Sequence, residues 1–287
     1  MTTKTIQEVI EQLNDYMEVS TTLAFTSRKK YGKIIRLFLL SHGLKFTIHD
    51  INKFITERNK KRDCYNYKYA FQYFLTSIGK KELYDQVKGV KKKPRKKVFK
   101  HIPKDTVQKM LNMMPAKYRY MALIQYKTGC RFIEAATIRA ENIDFNLSPD
   151  LIYITLGGGL TKVKGNKGRK VRMPNKYGIY LKQFMLRPYG YLFLDPKFEN
   201  YDEQRFFNAI ETYKRYYNEE LTKVGNYYGF EGFSSHYLRH LFADEYMSHK
   251  GTIESLKLVM GHANIDTTLQ YVSVGEEAAD RTIKAMD

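Results

Sequence analysis

Residues 233–272 read FSSHYLRHLFADEYMSHKGTIESLKLVMGHANIDTTLQYV, a stretch in which His236, Arg239, His262 and Tyr271 stand out from an otherwise core-like pattern. If SSHYLRHLFADEYM is a helix, His236 and Arg239 share one face, because residues three apart lie one above the other. Such a pair suits an anion: the guanidinium offers a planar fork of donors to phosphate or carboxylate oxygens. The alternative, for this segment alone, is a solvated helix that carries the two by coincidence.

The chain has 287 residues and a formal charge of +19, enough length for two domains and a charge balance that favours a polyanionic partner. Nucleic acid comes first, an acidic membrane surface second. With 24 Tyr and 17 Phe it has ample material for a folded core, so it is not a basic disordered tail. Cys64 and Cys130 belong to no metal-spaced pair and indicate neither a disulfide framework nor a zinc site. The richest apolar run, residues 34–40, is interrupted by Arg36 and is far too short to span a bilayer. The first residues lack a signal-peptide core. These features set the expectation of a cytoplasmic, DNA-associated protein without membrane segments.

Helical spacing recurs at Ile6, Val9, Ile10, Leu13 and Met17, at Tyr31, Ile34, Ile35, Phe38 and Leu39, and at Ile48, Ile51, Phe54 and Ile55. A fourth helix is expected over 65–78, with Gly79 as its stop. Residues 1–88 thus read as a small helical domain. Residues 89–101 hold Lys91, Lys92, Lys93, Arg95, Lys96 and Lys97 around Pro94, a block that repels itself and reads as an extended linker. It is either merely solvated or follows a DNA backbone, where each phosphate contact releases counterions.

Residues 102–287 form the expected second domain. Pro103 suits a first helical turn ahead of Val107, Met110, Leu111 and Met114, and a helix over 117–127 should stop at Gly129. Arg131 then opens another helix with Glu134 one turn on. That pair is either a weak surface ion pair or a phosphate-binding arginine held by a carboxylate. Strands are expected at 151–156, through Val163, and at 169–173, with a turn at 165–168 that presents Lys164 and Lys167: either an ordinary polar hairpin or one on which Lys162 and Lys167 bind DNA. Helices follow over 175–187 and 202–223. The fold class is therefore mostly α with a small antiparallel β-sheet, in two domains.

Four segments, TGCRFIEAATIR, VKGNKGRKVRMP, SSHYLRHLFA and LVMGHANIDTTLQYV, occur in an order and spacing that resembles the tyrosine recombinase family of phage integrases and Xer-like proteins. The resemblance implies a helical core-binding domain over 1–88, a catalytic domain over 102–287, and a catalytic set of Arg131, Lys164, His236, Arg239, His262 and Tyr271, with Glu134 in support. It implies DNA strand cleavage and rejoining through a covalent 3′-phosphotyrosyl intermediate at Tyr271. It also implies four protomers on two duplex sites carrying inverted repeats, from a protein that is a monomer when free. A C-terminal segment, residues 276–286, would dock on a neighbour.

The chemistry accounts for those residue types. A phosphodiester repels nucleophiles and gathers charge on its nonbridging oxygens in the transition state, where fixed cationic donors act. Arg131 and Arg239 would grip those oxygens with His262 as a further donor. His236 would take or share the tyrosyl proton. The leaving 5′ oxygen needs a proton, which the resemblance assigns to Lys164, with Lys162 and Lys167 as fallbacks. Since a phosphotyrosine retains the energy of the broken bond, no metal, ATP or other cofactor is expected, and no P-loop occurs in the sequence. A nick-and-reseal enzyme of the type IB topoisomerase kind and a noncatalytic DNA-binding protein are the competing readings.

Overall fold

The computed structural model describes residues 5–19, 23–61, 64–91, 100–157, 168–185 and 187–269. The chain divides into two compact units, residues 1–97 and 98–287.

In the first unit the periodic stretches are helices: α1 (Ile6–Val19), α2 (Phe25–His42), α3 (Ile48–Lys61) and α4 (Tyr67–Ser77). The start of α3 is set by a reciprocal cap, in which the Asp50 carboxylate accepts from the Thr47 amide and hydroxyl at 2.8 and 2.7 Å. Gly79, at φ +75°, closes α4, and its successor's amide bonds back to Leu75. A 3₁₀ turn at Lys81–Gln86 follows, which apolar spacing did not suggest. The core is aromatic. Phe38 is fully buried, with the rings of His42, Phe46, Phe54 and Phe71 at centroid distances of 4.7 to 5.3 Å.

The second unit begins with α5 (Lys104–Asn112), so Pro103 immediately precedes the helix instead of occupying its first turn. Then come α6 (Ala116–Thr128), α7 (Phe132–Ala136), β1 (Ile143–Asp144), β2 (Leu151–Leu156) and β3 (Arg169–Pro174). The three strands form one antiparallel sheet in the order β1-β2-β3, with Leu156 opposite Arg169 at one end of the β2/β3 ladder and Leu151 opposite Pro174 at the other. The two-residue β1 is too short to leave a periodic signal. The strand expected through Val163, and all of the turn at 165–168 except Gly168, lie outside the described residues.

The helix expected over 175–187 is a 3₁₀ turn, Asn175–Tyr177, followed by α8 (Gly178–Phe184). The next, α9 (Glu203–Tyr227), is capped by Asp202 accepting from the Arg205 amide at 2.7 Å, and it runs four residues beyond the expected end. Then follow α10 (Ser235–Ser248), α11 (Ile253–Met260) and α12 (Ile265–Leu269). Helix α6, buried at every position from Met121 to Tyr126, lies in the middle of this unit and packs on α5, α7, α10 and β3. No helix among the described residues is long and apolar enough to cross a membrane.

Candidate active site

The site grows from the corner between α6 and α7. Gly129 ends α6 in the left-handed conformation at φ +64°, and a Cβ there would sit 2.3 Å from the Phe242 ring, so both backbone and packing demand glycine. A buried chain of hydrogen bonds holds the corner: Tyr217 of α9 donates to Gln125 at 2.8 Å, and Gln125 donates to the Cys130 carbonyl at 3.1 Å. This satisfies a glutamine with no solvent exposure and makes Tyr217 a support of the corner.

Arg131 follows as the residue that caps α7. Its amide donates to Glu134 Oε2 at 2.6 Å and its Nη1 to Glu134 Oε1 at 3.1 Å. The Arg131 side chain is 39% exposed and that of Glu134 only 6%, so this is not a surface ion pair. One arginine face is open to a ligand while the carboxylate behind it is enclosed. Burial pushes the Glu134 carboxyl up, but the Arg169 guanidinium, the Arg131 amide and the Arg131 charge outweigh it and hold it below the usual carboxylate range.

Arg239 lies on α10 and is 2% exposed. Its Nη1 donates to the Gly129 carbonyl, and its Nη2 lies 2.8 Å from the Met260 carbonyl and 2.6 Å from His262 Nε2. A guanidinium only donates, so His262 Nε2 accepts here, and its proton sits on Nδ1, which donates to Thr268 at 2.9 Å. Burial and the neighbouring Arg239, Arg131 and Arg169 charges lower the His262 pKa to about 4, in agreement with a neutral ring. In this arrangement His262 thus serves Arg239 as an acceptor and is not the donor that the family resemblance implied.

The end of α11 joins these pieces. Its last carbonyls accept from three arginines far apart in the chain: Val259 from Arg169, Met260 from Arg239, and Gly261 from Arg131 at 3.1 Å. Cations at a helix C-terminus also complement the partial negative charge there. Arg131, Glu134, Arg239 and His262 are therefore assembled around one helix end. His236 is exposed on α10, one turn before Arg239, with its ring edge-on to the buried His240 at 5.1 Å. Tyr271, Lys162, Lys164 and Lys167 lie outside the described residues, as do Lys92, Lys93, Arg95, Lys96, Lys97 and the segment 276–286; Lys91 is described and exposed.

Two participants were not singled out from sequence. Thr268, fully buried, accepts from the His262 Nδ1 and so completes the tautomer that Arg239 sets. Arg169 shares Glu134 with Arg131, its Nη2 lying 2.7 Å from Oε2. Among the described residues no group of three or more His, Cys, Asp or Glu side chains is placed to hold a metal ion.

The sequence profile of the phage integrase family matches residues 100–277, well over half of the chain. The chain belongs to the phage integrase family. This member is similar to tyrosine recombinase XerA of Pyrococcus furiosus, with 24% identity over 289 aligned positions that cover 96% of this chain and 92% of that one. It is also similar to tyrosine recombinase XerD of Pasteurella multocida, at 26% identity over 62% of this chain and 59% of that protein. Its fold resembles that of the XerH site-specific recombinase bound to a palindromic difH substrate in a post-cleavage complex, with a TM-score of 0.66 at 16% identity, over 98% of this chain and 84% of that one. The mostly helical two-unit fold with a small antiparallel sheet, expected from sequence, is thus a known one.

Proposed function

We propose that the protein is a site-specific DNA recombinase that cleaves and rejoins duplex strands through a 3′-phosphotyrosyl bond to Tyr271. The observation that carries this reading is the convergence of Arg131, Arg239 and His262 on the end of α11, eleven residues before that tyrosine. Arg131, braced by Glu134, presents donors to a nonbridging phosphate oxygen. Arg239, fixed by three acceptors, supplies a second charge at the base of the site. Their geometry is set before substrate arrives, which is what lets donors favour the transition state over the ground state. His262 works through Arg239 by accepting its hydrogen bond. His236 takes the tyrosyl proton, and Lys164 protonates the leaving 5′ oxygen. A phosphotyrosine conserves the energy of the cleaved bond, so the reaction proceeds without metal or ATP.

The partner is duplex DNA; the XerH site-specific recombinase is likewise solved with its palindromic difH substrate. Residues 1–88 serve as the core-binding domain, and Lys91 to Lys97 follow the phosphate backbone as a linker. Four protomers act on two sites carrying inverted repeats, in the cytoplasm. The test is adduct formation. Duplex fragments from DNA flanking the gene are incubated with the protein, and SDS-stable complexes are trapped and mapped. Nicked versions of the mapped site then trap the covalent product. Tyr271→Phe should bind the site and form no adduct. An undiminished adduct would remove Tyr271 as nucleophile, and relaxation of plasmid lacking any site, without recombinants, would favour a nick-and-reseal enzyme.

A further inference from the structure

Arg169 is the first residue of β3, and side chains alternate in direction along a strand. Val171 and Met173, two and four residues on, are buried in the core, so Arg169 occupies a register position on the core-facing side, opposite the buried Leu156. A guanidinium in such a place is costly unless its donors are met. Nη2 meets Glu134 Oε2 at 2.7 Å and Nη1 meets the Val259 carbonyl, while the buried Nε has no hydrogen-bond partner among the described residues. Between those contacts the side chain crosses Gly261 so closely that a Cβ there would lie 2.7 Å from Nε and 2.8 Å from Cδ. The glycine before His262 therefore makes room for Arg169 as well as supplying φ +64°.

Glu134 divides its two oxygens. Oε1 takes the Arg131 side chain, while Oε2 takes the Arg169 side chain and the Arg131 amide. From this sharing, and resting on the recombinase reading above, we propose that Arg169 is a positioning residue for strand cleavage: it locks the Glu134 carboxylate so that Arg131 is held toward the scissile phosphate. Without Arg169 the carboxylate keeps one backbone donor on Oε2 and is freer to rotate, and the half-exposed Arg131 loses its fixed backing. Donors displaced by an ångström forfeit much of their effect on the transition state. Arg169 also ties β3 to the end of α11, so the strand that follows the Lys164 segment and the turn that carries His262 are joined through one side chain.

The experiment compares single-turnover cleavage of a nicked duplex spanning the mapped site with equilibrium binding of the same duplex. Arg169→Ala should slow cleavage about 10- to 100-fold while duplex affinity changes by less than about threefold. Arg169→Lys, which keeps the charge beside Glu134, should recover part of the rate and show that the loss is not one of folding. Combining Arg169→Ala with Arg131→Ala should add nothing to Arg131→Ala alone, because the first acts through the second. Wild-type cleavage by Arg169→Ala, or full additivity in the double variant, would overturn the assignment. A DNA-free arm separates the two readings: inorganic tungstate, a tetrahedral oxyanion, should raise the melting temperature of wild-type protein, not that of Arg131→Ala, and less that of Arg169→Ala. If that shift depends on Arg169 while no DNA adduct ever forms, the recombinase reading falls and the positioning role stands. An equal shift in wild type and Arg169→Ala would sink the positioning role instead.

Discussion

The cores of the two units are built on opposite plans. In the first, side chains of α1 to α4 close over one another almost wholly as hydrocarbon and aromatic rings, and the buried polar side chain among the described residues is Gln72. In the second, the interior takes in Glu134, Arg239, His240, His262 and Thr268 alongside its aliphatic and aromatic packing. Hydrophobic burial is nondirectional and needs only volume and pattern. Buried charge is worth its desolvation only when it is paired and hydrogen-bonded at a fixed place. The first unit is thus organised for cohesion, and the second spends part of its cohesion on orienting a few atoms.

Three measurements would break or sharpen that contrast. The largest effect should come from Phe38→Ala in the ring cluster of the first unit, about 3–5 kcal/mol of stability by chemical denaturation. A loss below about 1 kcal/mol would mean that the cluster is not cohesive in the way described. Next is a pH effect confined to the second unit. The folded-state pKa of His262 is lowered to about 4 from its ordinary 6.5. Between those values the unfolded chain binds the proton and the folded chain does not, so stability falls as pH drops from 6.5 toward 4. After allowance for solvent screening the fall due to this ring is about 2 kcal/mol. Denaturation curves of His262→Asn should lack that part of the acid sensitivity, and identical pH profiles would refute a neutral, enclosed ring. The smallest effect is expected from Gly261→Ala, about 1–2 kcal/mol for a left-handed backbone. That variant should also lose cleavage to the same degree as Arg169→Ala, since the new Cβ displaces Arg169; normal cleavage would show that the arginine tolerates the shift.

Much of the fold was legible because helices announce themselves locally. The spacing of Ile34, Ile35, Phe38 and Leu39 marks α2, and Gly79 and Gly129 mark helix ends by a conformation that few other residues adopt. Arg131, Arg239 and His262 were legible through residue type and motif spacing. The pairing of Arg169 with Glu134 was not, for it joins residues 35 apart through side chains alone. A signal was present: in RKVRM an arginine takes the inward position in register with Val171 and Met173, and a charge on the apolar side of a strand needs a partner. Thr268 carried less warning, since a threonine late in a short helix is ordinary until its contact with His262 is seen. His262 shows the limit of motif reading. Residue type placed it in the site, but the direction of its hydrogen bond follows from Arg239 lying against Nε2.

The three arginines gathered at the end of α11 also bear on when the protein becomes able to act. Arg131 spans 130 residues to reach Gly261, and Arg169 spans 90 to reach Val259. Contacts so distant in sequence carry a loop-closure entropy before they return any stabilisation. On a ribosome, the sheet and the helices up to α10 emerge before the carbonyls that fix the arginines have been made. A nascent or partly folded chain would therefore carry the basic surface that attracts DNA without the set geometry that cuts it, and competence to cleave would arrive only with the last helices of the fold.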